Sequence, residues 1–167
     1  MDEPRDLVTL KALLADNPKT ADRLGLLFHA HRDWPAYDQT PRNCVTFAST
    51  GGDGVHFSFL CGGEDLPIVM TVPMADDANR VVGRNLRHFL GLGRWSGYFM
   101  LEQLQYDFAD TVAALDRRDL DHPEPAEAQA LAAIAEQLQV DAWHDHGAML
   151  RALEAEFAGR LEIAPFD

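Results

Sequence analysis

Phe47-Ala48-Ser49-Thr50-Gly51-Gly52-Asp53-Gly54-Val55-His56-Phe57-Ser58-Phe59-Leu60 sets β-forming residues on both sides of a glycine-dense turn. Val, Phe and Thr suit a pleated, half-buried surface, and Gly-Asp or Asp-Gly supplies the positive φ of a tight hairpin. The stretch predicts strands over residues 43–49 and 55–61, joined by a two-residue loop at Gly52-Asp53 or Asp53-Gly54. Either loop gives one parity. Cys44, Thr46 and Ala48 then share a face with Val55, Phe57, Phe59 and Cys61, while Val45, Phe47 and Ser49 share the other with His56, Ser58 and Leu60. Apolar residues on both sides predict a sheet covered at least in part by helices on each face.

Outward from the hairpin, Gly62-Gly63-Glu64-Asp65 reads as a second turn, and residues 67–73 as a third strand bounded by prolines. Upstream, Leu7, Leu10 and Leu14 recur at helical spacing; Asp16-Asn17-Pro18 interrupts them before a second helix carrying Leu24, Leu27, Phe28 and His31. Trp34-Pro35, Tyr37 and Pro41 make residues 32–43 an ordered connector. Downstream, Asp76, Asp77 or Asn79 is expected to cap a helix bearing Val82, Leu86, Phe89 and Leu90, with a longer helix from about Tyr98 to Arg118. Asp121-His122-Pro123-Glu124-Pro125 is the linker to two final helices, marked by Leu131, Ile134 and Leu138 and by Met149, Leu150, Leu153 and Phe157. Leu161-Glu162-Ile163 suits a short strand. The expected class is α+β: one domain over residues 1–167, with N-terminal helices and connector (1–42), a small mostly antiparallel sheet with core helices (43–118), and a C-terminal helical hairpin (124–160).

A chain of 167 residues buries about 70% of its unfolded surface without staples. Cys44 and Cys61 are too few for a disulfide scaffold and read as reduced thiols, and the Gly52-Asp53 register would set them opposite each other. The first residues lack a basic, apolar leader, and no run reaches the ~18 apolar residues of a spanning helix, so a soluble cytoplasmic protein is expected. Fourteen Lys and Arg against 27 Asp and Glu leave a net charge of −13. That repels nucleic acid and anionic membranes and attracts basic proteins. Residues 121–167 hold ten carboxylates and two arginines.

Several residue groups are candidates for chemistry. Ser49 and His56 face each other in the Gly52-Asp53 register, with Asp53 near in sequence, which outlines a nucleophile and base; turn preference is the better explanation of Asp53. Gly51-Gly52-Asp53-Gly54 leads into a strand, so it is no phosphate loop. His29/His31 and His144/His146 are the paired histidines, but a spacing of two separates side chains by about 200° on a helix, against the spacing of four in zinc helices. Asp76 and Asp77 beside Arg80, and Arg84 with Arg87, suit an acid pair and an anion-binding pair, but a helix start and its wet face explain them better. Trp34, Tyr37, Trp95 and Tyr98 lie in loops, where aromatics anchor partners or pack over a sheet edge. No cofactor is implied.

The hairpin sequence, Pro67-Ile68-Val69 and Arg84-Asn85-Leu86-Arg87-His88-Phe89-Leu90 together resemble the SUKH superfamily of cell-wall-synthesis regulators and toxin-immunity proteins, over about residues 43–104. The shared elements are a glycine-bearing sheet turn, a following strand and a helix of Asn-Leu-x-x-Phe-Leu type. The resemblance implies a mixed sheet packed by helices and a protein-binding role without catalytic residues. Many such members neutralise nucleases or deaminases, whose basic grooves suit an acidic binder. The expected contact residues are Glu124, Glu127, Asp141, Asp145, Glu154 and Glu156, with Trp34 and Trp95 as apolar anchors. The alternative is a small-molecule-binding protein or small hydrolase with a pocket near Ser49, His56 and Arg84.

Overall fold

The computed structural model describes residues 1–30, 34–35 and 37–165. The fold is α+β, with five strands in the order β1 (Leu27–Phe28), β2 (Cys44–Ser49), β3 (His56–Leu60), β4 (Ile68–Thr71) and β5 (Asn79–Gly83). Every pairing is antiparallel. The sheet is therefore not mixed, and each strand pairs with its neighbours in sequence without a crossover. Six α-helices accompany it among the described residues: α1 (Arg5–Leu14), α2 (Pro18–Leu24), α3 (Leu86–Leu92), α4 (Phe108–Asp116), α5 (Pro125–Leu138) and α6 (His146–Phe157). Helix α5 packs on α1 and α2, while α6 packs on β5 and α4. No helix among the described residues is long and apolar enough to cross a membrane.

The hairpin holds in its register near the tip, where Ser49 pairs with His56. Thr50 N–H donates to the Val55 carbonyl at 3.0 Å and closes a loop of four residues, not two. Val55 N–H donates to the Gly52 carbonyl at 3.0 Å, and the enclosed Asp53 and Gly54 both have positive φ (49° and 73°), as Asp-Gly favours. A bulge between Thr46 and Ala48 then shifts the pairing, so Cys44 faces Leu60 rather than Cys61. The extra residue reverses the expected facing of the strand before it. Phe47 turns to the core, stacked on Phe59 at 4.4 Å and edge-on to Phe89 at 6.5 Å, and Thr46 meets Ser58 through a 3.0 Å hydroxyl pair.

Four boundaries depart from the sequence reading, each for a local reason. Helix α2 stops at Gly25, whose φ of 78° and close approach to Phe99 exclude a side chain, so Leu27 and Phe28 form edge strand β1 instead. The helix expected from Asp76 onward begins only at Leu86, capped by Asn85, and residues 79–83 are strand β5. Val81 and Val82 favour the sheet, and Gly83 passes so near Phe89 N that a Cβ would lie 2.6 Å from it. The long helix expected over Tyr98–Arg118 is a 3-10 helix (Phe99–Gln105) and then α4, because the Asp107 carboxylate caps Asp110 N–H and starts a new helix. Residues 161–163 form no strand; Glu162 makes one main-chain bond there, accepting from Arg42 N–H at 2.8 Å.

Candidate functional site

The register sets Ser49, His56, Thr71 and Asn79 in one row across β2 to β5. Ser49, His56 and Thr71 are buried and Asn79 is half-buried, and the connector covers the row: Trp34 lies 5.0 Å and Tyr37 5.5 Å from the His56 ring. Helix α3 covers the other face, with Phe89 4.8 Å from Phe57. The cover at His56 is thus a loop where a helix was expected, since the row's polar atoms need hydrogen-bond partners that a loop can supply.

His56 is fully buried and uses both ring nitrogens. Its Nδ1–H donates to the Gly54 carbonyl at 2.7 Å, which leaves Nε2 to accept the Thr40 hydroxyl at 2.9 Å. Burial pushes its pKa down and keeps the ring neutral. Ser49 bonds to His29 Nε2 at 2.8 Å, and the Thr71 hydroxyl donates to Asn79, which donates to the Gln39 carbonyl. Facing residues Ser49 and His56 therefore take separate partners, and a backbone carbonyl occupies the ring position that a triad acid would hold. Arg84 does not join them; it makes a bidentate pair with Glu156 at 2.7 and 2.6 Å.

Of the expected contact residues, Glu124, Asp141, Asp145, Glu154 and Glu156 are exposed. Glu156 is committed to Arg84, Glu154 lies 3.9 Å from Arg80, and Asp145 caps α6 by accepting Ala148 N–H at 3.2 Å. Glu127 departs from expectation: it is 7% exposed, with Oε2 buried and unpartnered among the described residues. It lies on the inward side of α5 with Leu131, Ile134 and Leu138. Trp34 is half-buried against His29 and His56 rather than projecting, whereas Trp95 is 39% exposed. Asp76 and Asp77 precede β5 instead of capping a helix, and Arg87 pairs with Asp6 at 2.8 Å. Among the histidine pairs, His31 lies outside the described residues, and no group of three His, Cys, Asp or Glu among the described residues is placed to hold a metal.

Two surface clefts bear on function. One, of about 670 Å³, is lined by Asp38, Asp76 and Asp77 with Gln39, Arg42 and the tail residue Ile163. None of its three carboxylates is ion-paired among the described residues. The other, of about 360 Å³, lies between the end of α4 and the start of α6 and is lined by Trp95, Asp116, Arg118, Trp143, Asp145 and His146, among others. Here Asp116 Oδ1 accepts both the backbone N–H (3.1 Å) and Nδ1–H (2.7 Å) of His146. These bonds hold the Asp116 carboxyl below its usual range. Arg94 and Arg118 lie over the Trp95 ring, each 4.1 Å from its centroid.

Arg118 itself occupies the left-handed position that ends α4, with φ 56°. Asp119 N–H donates to Ala114 O and Arg118 N–H to Leu115 O, the pairing of a Schellman cap. Glycine usually fills that place, and an L-residue there costs roughly 1–2 kcal/mol. Sequence reading passed over Asp116, Arg118 and Arg94. The available signal was Leu115-Asp116-Arg117-Arg118, a helix end with neither Gly nor Asn.

The chain matches no family model, no curated protein and no solved structure.

Proposed function

We propose that the chain is a non-enzymatic cytoplasmic protein-binding module of the immunity type, occluding a basic toxin such as a nuclease. The observation that carries this reading is the 670 Å³ cleft walled by Asp38, Asp76 and Asp77, whose carboxylates form no ion pair among the described residues. Unpaired carboxylates in a concave wall focus negative potential, and an arginine or lysine entering there gains more than it would on a flat surface. The net charge of −13 adds long-range steering. Glu124 and Asp141 are exposed and add to the negative exterior, and the SUKH resemblance supports the same role. Glu127, Glu154 and Glu156 contribute less, the first because it is buried and the other two because arginines of this chain stand beside them.

The test is affinity capture from the native cell, followed by binding of the purified partner over about 0.05 to about 0.5 M salt. A basic protein is expected, with affinity falling steeply as salt rises and falling again for the D76K/D77K variant. A neutral or acidic partner, or an affinity indifferent to both salt and charge reversal, would overturn the reading.

A further inference from the structure

We infer that the cleft between α4 and α6 is a binding site for a small hydroxylated oxyanion, a hydroxy acid or a sugar phosphate. Arg118 would hold the anionic group, and His146 Nε2 would accept a hydrogen bond from a neighbouring hydroxyl. This site is separate from the acid-walled cleft and stands or falls independently of it.

Three observations define the ligand. First, Arg94 and Arg118 have no ion-pair partner among the described residues, although the chain carries 27 carboxylates. Stacking on Trp95 fixes Arg118 in position but uses only its face, leaving its N–H edges for a carboxylate or phosphate. Second, His146 is 6% exposed, yet it spends only Nδ1–H within the protein. Nε2 has no hydrogen-bond partner among the described residues and is not sealed off, and the ring lines the cleft. With Nδ1–H held by Asp116, Nε2 is the ring nitrogen left for a ligand, and in the Nδ1–H tautomer it presents a lone pair to a hydroxyl donor. Third, Asp116 and Asp145 each spend one oxygen on the protein, so the other remains to accept a ligand hydroxyl.

The mixed charge excludes simpler ligands. A bare cation would meet Arg118, and a bare anion would meet Asp116 and Asp145. A molecule with one anionic end and hydroxyls beside it satisfies both, and about 360 Å³ accommodates one of sugar-phosphate size. The left-handed backbone at Arg118 and at Asp145 (φ 50°) is a second mark of the site, since such conformations in non-glycine residues concentrate where side chains are held for binding.

The test is nuclear magnetic resonance of the whole chain, following the Trp95 indole N–H and the His146 ring while ribose 5-phosphate or gluconate is added. These two probes separate the sugar phosphate from the hydroxy acid, and ribose and inorganic phosphate are the controls. Saturable shifts at Trp95 and His146 are expected with at least one probe, and binding about tenfold weaker or worse with either control. The R118G variant suits the left-handed backbone, so it should keep its spectrum elsewhere while losing at least about tenfold in affinity. R118Q, which keeps a side chain on Trp95, should lose as much. Failure of both probes to shift these signals, inorganic phosphate or ribose binding as tightly as the probes, or unchanged affinity in both variants would overturn the assignment.

Discussion

His56 and His146 are both withdrawn from solvent, and each has Nδ1–H fixed by an oxygen at 2.7 Å. They part at the other nitrogen. Nε2 of His56 is capped by Thr40 beneath Trp34 and Tyr37, whereas Nε2 of His146 has no hydrogen-bond partner among the described residues and its ring lines a cleft. The first histidine is a fully satisfied strut between hairpin and connector. The second leaves hydrogen-bonding capacity open at the surface. Burial alone therefore does not distinguish a structural histidine from a functional one; the accounting of both ring nitrogens does.

The largest effect should come from the sealed residue. His56→Ala removes a buried ring and strands the Thr40 hydroxyl and Gly54 carbonyl, with an expected cost of about 3 kcal/mol in urea unfolding. His146→Ala removes the ring's bond to Asp116 but leaves the main-chain one, and about 1.5 kcal/mol is expected. If the order of the two were reversed, the contrast would break.

Acidification sharpens it. Because the folded pKa of His56 is pushed below its ordinary value, the unfolded chain binds the proton first, so stability is full above about pH 6.5 and falls as pH drops below it. His88, lowered by burial and by Arg84, acts in the same direction. His56→Gln should therefore show a shallower decline of melting temperature between about pH 7 and about pH 5, but not a flat one. An unchanged slope would contradict the buried neutral ring. Asp116 acts at lower pH: its depressed pKa contributes stability above the ordinary carboxylate value that is lost as pH falls through the folded one. The smallest effect is at Arg118, where glycine relieves the left-handed backbone; R118G should unfold at an equal or slightly higher urea midpoint, by about 0.5 kcal/mol.

The hairpin was legible because glycines, Asp and β-formers act within a few residues of one another, and so were the two C-terminal helices. The bulge at Phe47 was not. It arises because Phe47 fits against Phe59 and Phe89, a tertiary demand that period-two alternation does not contain. For the same reason β5 resembled a helix: Val82, Leu86, Phe89 and Leu90 have helical spacing, but Gly83 and Asn85 divide them between a strand and a helix. The site was half visible. His144-Asp145-His146 stood out as a histidine pair, but Asp116 lies thirty residues away, and only the packing of α4 on α6 brings it to the ring. Glu127 looked like surface charge because an acid in the first turn of a helix ordinarily is.

The most direct test of the contrast is a long-range ¹H–¹⁵N correlation spectrum of the histidine rings, recorded with and without ribose 5-phosphate. His56 should show an Nδ1–H ring with Nε2 hydrogen-bonded and unmoved by the additive, while the His146 Nε2 signal shifts in a saturable way. An Nε2–H ring at His56, or a His146 signal indifferent to every hydroxylated oxyanion tried, would contradict the account.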